Sequence, residues 1–246
     1  MTIYIFNFIG DLHGRTCWKD LIREGAINIF MGDYLDARES EYCDTQETNF
    51  LELLQYKKEH PDTVKLLLAN HDLPYLYLGR YNDIAIDQKS LYRHSLFVEN
   101  LALFEGVAYG YGNYIATHAG ISALWYNRYF GDYQGESAEI IAQKLNQLFW
   151  DNLDAYRFGP NSSNSFDYYG NDRFQSPVWI RPTALTEYNL LAGTDIIQIV
   201  GHSPMPAIRK YKDGEIVFID CLGQKQDSYV VDLRKDAINK VIDTLF

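Results

Sequence analysis

The chain has 246 residues, 47% of them hydrophobic and 22% charged, which is the composition of one globular core rather than of a disordered or fibrous chain. A formal net charge of −11 argues against a nucleic-acid polymer or an anionic membrane as the main partner. No window approaches about 18 apolar residues, no basic segment precedes a long apolar run at the N-terminus, and Cys17, Cys43 and Cys221 lack metal or disulfide spacing, so the expectation is a cytoplasmic, reducing setting.

Ile3 to Ile9 is nearly unbroken in apolar character and predicts a buried strand. It runs into Gly10-Asp11-Leu12-His13-Gly14, where a carboxylate and an imidazole stand two residues apart between glycines. Arg15 to Glu24 places Trp18, Leu21 and Ile22 at helical spacing. Ala26 to Met31 predicts a second buried strand that ends at Gly32-Asp33. Gln46 to Glu59 reads as an amphipathic helix with Thr45 or Asp44 as its cap. Val64 to Ala69 predicts a third strand, ending at Asn70-His71-Asp72. The order β-α-β-α-β predicts a largely parallel sheet covered by helices, with a site at the C-terminal strand ends.

Leu73 to Asn100 is helical in pattern, and Tyr75, Tyr77 and Tyr81 read as packing of a cap. Gly106 to Ala116 predicts a hairpin that delivers Thr117-His118-Ala119-Gly120. Ser137 to Leu153 predicts a helix, and Arg157 to Ser176 a long loop without period, where Asp167, Asp172 and Arg173 read as solvated. Pro177 to Ile180 predicts a short strand ending at Arg181-Pro182, and Ile196 to Val200 another ending at Gly201-His202. Ile208 to Tyr211 and Glu215 to Ile219 predict a hairpin around Asp213-Gly214. Phe218-Ile219 leads into Asp220, which reads as structural. Ser228 to Leu233 predicts a last strand and Lys235 to Leu245 a closing helix. With no repeats or linkers, residues 1–246 read as one domain.

The polar residues at these strand ends are Asp11, His13, Asp33, Asp36, Asn70, His71, His118, Arg181 and His202. Of six histidines, four stand in this set, whereas His60 and His94 read as surface residues. Oxygen and imidazole donors without thiolate suit Mn, Fe, Zn or Ni. Asp11 and His13 can face one ion if the backbone turns sharply, which Gly10 and Gly14 permit. Asp33 is placed to bridge two ions about 3.5–4 Å apart, and such a site stays cationic and ready for a phosphate.

Gly10-Asp11-Leu12-His13-Gly14, Gly32-Asp33-Tyr34-Leu35-Asp36, Asn70-His71-Asp72, His118-Ala119-Gly120 and Gly201-His202 resemble, in order, the motifs of the calcineurin-like metallophosphoesterases. More narrowly, they resemble the phosphoprotein phosphatases with their bacterial and phage branches. The resemblance implies an α/β fold, a β-sandwich of two mixed sheets flanked by helices. It implies two divalent transition ions, with Mn effective in vitro and Fe, Zn or Ni as other candidates. Asp11 and His13 would hold the first, Asp33 would bridge, and Asn70, His118 and His202 would complete the second. A hydroxide bridging the metals would attack phosphorus. His71, oriented by Asp36, would protonate the leaving oxygen.

Arg181 in Trp179-Ile180-Arg181 resembles a phosphate clamp of the bacterial branch. The second clamp of the family directly follows the last aspartate of the second motif, where this chain has Ala37. Arg38 comes one later and is the candidate replacement, beside Asn70 in the substrate site. The leading expectation is a serine/threonine protein phosphatase-like phosphomonoesterase acting on a phosphoprotein or small phosphoester. The alternative is a nucleotide or diadenosine tetraphosphate-type hydrolase, which His118 to Ile121, Trp125 and Trp179-Ile180-Arg181 also resemble. A third reading, drawn from Ala37, is a binding protein on a dead scaffold.

Overall fold

The computed structural model describes residues 5–78, 86–159 and 171–234. In chain order its first half contains β1 (Ile5–Ile9), α1 (Trp18–Leu21), β2 (Ile27–Phe30), α2 (Gln46–Glu59), β3 (Val64–Leu67), α3 (Leu73–Leu76), α4 (Gln88–Glu99) and β4 (Phe104–Gly106). Then come β5 (Ala108–Tyr111), β6 (Tyr114–Thr117), α5 (Ala123–Phe130), α6 (Ala138–Asp151), α7 (Pro182–Glu187), β7 (Ile197–Val200), β8 (Arg209–Tyr211), β9 (Ile216–Phe218) and β10 (Tyr229–Asp232).

Two five-stranded sheets form, in the orders β10-β1-β2-β3-β4 and β5-β6-β7-β9-β8. Both are mixed. In the first, β1 to β4 run parallel and β10 pairs antiparallel with β1. In the second, β6, β7 and β9 are parallel, while β5 and β8 close the edges antiparallel. Period-two alternation divides the side chains between layers. Phe6, Phe8, Ile29, Met31 and Leu67 of the first sheet pack with Ala116, Ile199, Val217 and Ile219 of the second, filling the sandwich. Ile9, Phe30 and Leu66 face the other way and join Phe50, Leu53 and Phe97 of the helices. Ala184 and Leu185 of α7 cover Val200 and Phe218 on the far side of the second sheet. The expected sandwich of mixed sheets flanked by helices is the observed fold. Among the described residues no helix is long and apolar enough to cross a membrane.

Several local readings need correction. Arg15 to Glu24 is not one helix. The Arg15 N–H donates to the Leu12 carbonyl at 2.9 Å, and its guanidinium donates to the carbonyls of Asp11 and Leu12, so a tight turn forms there. Only α1 remains helical, because Ile22 turns extended at ψ 135°. Thr45 sits at the N-cap of α2 but makes no capping bond with its side chain. Pro177 to Ile180 is a turn rather than a strand, with the Trp179 and Ile180 N–H groups both donating to the Ser176 carbonyl, at 2.9 and 3.1 Å. Four apolar residues are too few for periodicity to separate the two. His94 is half-buried rather than a surface residue, and its Nδ1–H donates to the Tyr75 carbonyl at 2.7 Å. β4 and α5 have no counterpart among the expected elements. The start of the first strand, Tyr81, Asp167 and the closing helix from Lys235 to Leu245 lie outside the described residues.

Candidate metal centre

Six parallel strands end at one edge of the sandwich and deliver the polar residues there. β1 leads to Asp11 and His13, β2 to Asp33 and Asp36, and β3 to Asn70 and His71. β6 leads to His118, β7 to His202, and β9 to Asp220. The backbone at this edge is unusual. His13, Asp33, Asp36 and His202 all have positive φ, at 45°, 53°, 61° and 67°. Non-glycine residues rarely adopt that region, and clusters of such strain accompany functional sites. The turn after β1 is therefore carried by His13 together with Gly14, at φ 78°. Gly10 serves differently from the expected flexibility, since a Cβ there would lie 2.6 Å from the Ile219 carbonyl oxygen.

Each ring is aimed by a main-chain carbonyl. A carbonyl can only accept, so the ring nitrogen facing it carries the proton. His13 Nδ1–H faces the carbonyls of Leu35 and Asp36, both at 3.2 Å, which leaves Nε2 as a lone pair. His118 Nδ1–H donates to the Met31 carbonyl at 3.0 Å and also leaves Nε2 free. His202 Nε2–H donates to the Trp179 carbonyl at 3.1 Å and leaves Nδ1 free. These lone pairs converge. His118 Nε2 lies 2.7 Å from Asn70 Oδ1 and 3.2 Å from His202 Nδ1, and the last pair, His202 Nδ1 and Asn70 Oδ1, is 3.1 Å apart. Asp33 Oδ2 lies 3.4 Å from His13 Nε2 and 3.5 Å from His118 Nε2. It has no hydrogen-bond partner, nor has His13 Nε2, although both are buried. Asp11 completes the group, since one ligand atom each from Asp11, Asp33 and His118 lies within 4.8 Å of the others.

The electrostatics make the same demand. Burial pushes His13 down to about 4, and likewise lowers His118 and His202, so all three rings are neutral at neutral pH. Burial, then the Asp220 and Asp33 carboxylates, pushes Asp11 well above the usual carboxylate range. Burial acts on Asp33 in the same direction, but the positive charge that His118, His71, His13 and His202 carry once protonated at low pH outweighs it and holds Asp33 low. Burial also lifts Asp220 to about 6, and its Oδ2 has no partner. Buried acceptors facing one another with no donor between them are a set that cations satisfy. The donor set fits divalent transition ions.

His71 stands apart from this set. Its N–H donates to Asp33 Oδ1 at 3.1 Å, and its Nδ1 lies 3.0 Å from Asp36 Oδ2. Burial would lower it, yet the Asp33 and Asp36 carboxylates raise it to about 8. Arg181 is half-buried, and its Nη1 donates to the His202 carbonyl and to Ser203 Oγ, both at 3.2 Å. Arg38 is exposed, but its charge acts on Asp11, His13, His71, Asp220 and Arg181, which places it over the same cluster. Ala37 is half-buried, and its Cβ lies 3.2 Å from where a Cβ on Gly14 would stand.

Several further residues contribute that the sequence pattern does not single out. Asp72 is fully buried and accepts the backbone N–H groups of Asp33, Tyr34 and Ala69, at 3.0, 3.1 and 2.9 Å. It thereby ties the Asp33 turn to the Asn70 turn. Arg15 is buried and pairs with Glu39 at 2.6 Å, strapping the second loop to the first. Tyr75, read as cap packing, donates its hydroxyl to Asp36 Oδ1 at 2.6 Å, and Arg93 reaches the same oxygen at 2.9 Å. The motif Asn70-His71-Asp72 was the available signal for Asp72, while the others lie outside any motif.

The geometry has counterparts among known proteins. A family model of the calcineurin-like phosphoesterases matches residues 5–231. A cold-active protein-tyrosine phosphatase of a psychrophilic Shewanella species is similar in fold, with a TM-score of 0.56 and 18% identity, covering 94% of this chain and 76% of that one. A protein serine/threonine phosphatase from Saccharomyces cerevisiae is also similar, with a TM-score of 0.52 and 14% identity over 93% of this chain and 79% of its own. A search of curated proteins by sequence finds no match. The match over nearly the whole described chain, on a fold whose strand ends gather metal-binding donors, means that the chain belongs to the calcineurin-like phosphoesterases, metal-dependent hydrolases of phosphoester bonds.

Proposed function

We propose that the chain is a single catalytic domain, residues 1–246, that hydrolyses phosphate monoesters with two divalent ions, in the manner of a serine/threonine protein phosphatase. The observation that carries this reading is Asp33 Oδ2, a buried oxygen without a partner, facing His13 Nε2 on one side and His118 Nε2 on the other at 3.4 and 3.5 Å. That placement supports a bridging role. Asp11 and His13 hold one ion, and Asn70, His118 and His202 hold the other. When bound, the ions supply an activated water and positive charge for the phosphoryl oxygens, with manganese the ion to test first.

The side chains do the rest. Arg181 and Arg38 bind and orient the phosphoryl group from the open side. His71 carries a proton on Nε2 when protonated, and its other ring nitrogen is engaged by Asp36 at 3.0 Å. A histidine held at about 8 is protonated at neutral pH and suits protonation of a departing oxygen. The two similar structures are a protein-tyrosine phosphatase and a protein serine/threonine phosphatase, and phosphotyrosine and phosphoserine/phosphothreonine are all phosphomonoesters.

A second reading, hydrolysis of nucleotides or dinucleoside polyphosphates, drew partly on Trp125. That residue is fully buried and donates Nε1–H to the Ala155 carbonyl at 3.1 Å, so it belongs to the core. Trp179 keeps the second reading alive, because it is half-buried beside Arg181. The test is a panel of phosphopeptides, simple phosphomonoesters and dinucleoside polyphosphates with the manganese-loaded chain. Turnover of phosphopeptides and p-nitrophenyl phosphate is expected. Cleavage of dinucleoside polyphosphates alone overturns the lead reading.

A further inference from the structure

We infer that Arg93 of α4, acting with Tyr75 of α3, is a positioning residue: it fixes the Asp36 carboxylate and so sets how His71 faces the leaving oxygen. This rests on His71 being the proton donor.

Asp36 has both oxygens engaged. Oδ2 faces His71 Nδ1 at 3.0 Å. Oδ1 accepts from the Tyr75 hydroxyl at 2.6 Å and from Arg93 Nη1 at 2.9 Å. Arg93 Nη1 also donates to the Tyr75 oxygen at 2.6 Å, so the three groups close a triangle. The guanidinium lies over the Tyr75 ring, 5.2 Å from its centroid. Its Nε donates to Glu47 Oε1 at 2.8 Å.

Arg93 is only 6% exposed, which places it behind Asp36 and not in the substrate's path. A buried guanidinium needs compensating charge, and Glu47 on α2 supplies it. If Arg93 only fastened α4 to α2, that pair would suffice. Instead Nη1 is directed at the carboxylate that holds His71. Asp36 sits at φ 61°, an uncommon conformation outside glycine, and its carboxylate is held by donors from α3 and α4. With Oδ1 clamped, only Oδ2 is left to His71. Rotation of that carboxylate would move the His71 ring, and small misplacements of a proton donor are costly.

The test uses the full manganese-loaded chain carrying Arg93→Met, Tyr75→Phe or His71→Ala. Each is assayed on phenyl phosphate, a poor leaving group, and on p-nitrophenyl phosphate, a better one, alongside metal content. Tyr75→Phe keeps ring volume and the Arg93–Glu47 pair, so it carries the test if Arg93→Met folds badly. Both positioning variants are expected to lower kcat for phenyl phosphate roughly tenfold or more, and much less for p-nitrophenyl phosphate, with KM and metal content nearly unchanged. Equal losses on the two substrates, or a change confined to KM, overturn the inference. If His71→Ala shows the leaving-group dependence and neither positioning variant does, the inference alone fails. If His71→Ala lacks that dependence, the reading of His71 as proton donor fails with it.

Discussion

The backbone N–H of His202 donates to both carboxylate oxygens of Asp11, at 3.1 and 2.9 Å, although the two residues are 191 apart in the sequence. This contact joins the first and second sheets at the edge that gathers the candidate ligands. It depends on Gly201, where a Cβ would lie 2.2 Å from Asp11 Oδ1. Gly201→Ala therefore has to displace Asp11 or the His202 turn. Overpacking of this kind costs about 1–3 kcal/mol. Lower manganese content and a lower melting temperature are expected, and wild-type values in both measurements would show that the approach is not tight.

Removing metal should destabilise the fold. Buried lone pairs of His13, Asp33, His118, His202 and Asn70 then face one another without a cation. A ligand present at 100 times its Kd stabilises by about 2.7 kcal/mol, or roughly 5–10 °C for a chain of this size. Chelator treatment is expected to lower Tm by that order. Asp33→Asn should shrink the difference between loaded and stripped protein, because the charged oxygen facing both His13 and His118 is gone. An unchanged difference in that variant would remove Asp33 from the site.

Much of this edge was legible in the sequence for a physical reason. A buried strand is an apolar run, so a polar residue just past its end stands out, and every metal-binding candidate lies at such a place. The groups that aim the rings were not legible. The carbonyls of Met31, Leu35 and Trp179 leave no side-chain signal. Arg93 lies 57 residues beyond Asp36 on a separate helix, and nothing in its local pattern marks it. Asp220 ends β9 as the other site residues end their strands. It read as structural because its neighbourhood, beside Asp11, is a tertiary fact.

His71→Ala should separate chemistry from metal binding. His71 meets Asp33 through its backbone N–H, which alanine keeps, and its ring is engaged by Asp36. A positioned general acid contributes about 10²–10⁴-fold. A kcat loss in that range toward a poor leaving group is expected, with metal content near that of the parent. Loss of metal in the variant would make His71 a ligand instead.

The histidines also fix how the metal-free chain responds to pH. His71 is raised to about 8, so its contribution to stability is complete below the unfolded value of about 6.5 and is lost as pH rises through 8. His13, lowered to about 4, acts in the opposite sense, as do His118 and His202. Below about 6.5 the unfolded chain takes up protons that these buried rings refuse, so their contribution falls as pH drops. A proton NMR titration of the stripped protein should show one histidine with a midpoint near 8, moved downward by Asp36→Asn. A histidine that titrates near 8 regardless of Asp36 would not be His71 in this arrangement.

The last prediction concerns Ala37 and the arginines. Position 37 carries an alanine, and the guanidiniums offered to the phosphoryl group are those of Arg38 and Arg181. Arg181 is anchored by the His202 carbonyl and Ser203, so its fork is already oriented, whereas Arg38 is exposed and has no such anchor among the described residues. Charge-assisted hydrogen bonds to a phosphoryl group are each worth roughly 1.5–3 kcal/mol when the donor is held in place. Arg181→Ala is accordingly expected to lower kcat/KM by about 10- to 100-fold and to weaken inhibition by inorganic phosphate in parallel. Arg38→Ala should cost less, on the order of severalfold, because ordering its long side chain takes back part of the gain. Higher salt should narrow the Arg38 effect more than the Arg181 effect, since an exposed charge is screened and a half-buried one is not. If Arg38→Ala proved as damaging as Arg181→Ala, and as insensitive to salt, Arg38 would be a rigid clamp in the bound state, equivalent to an arginine at position 37.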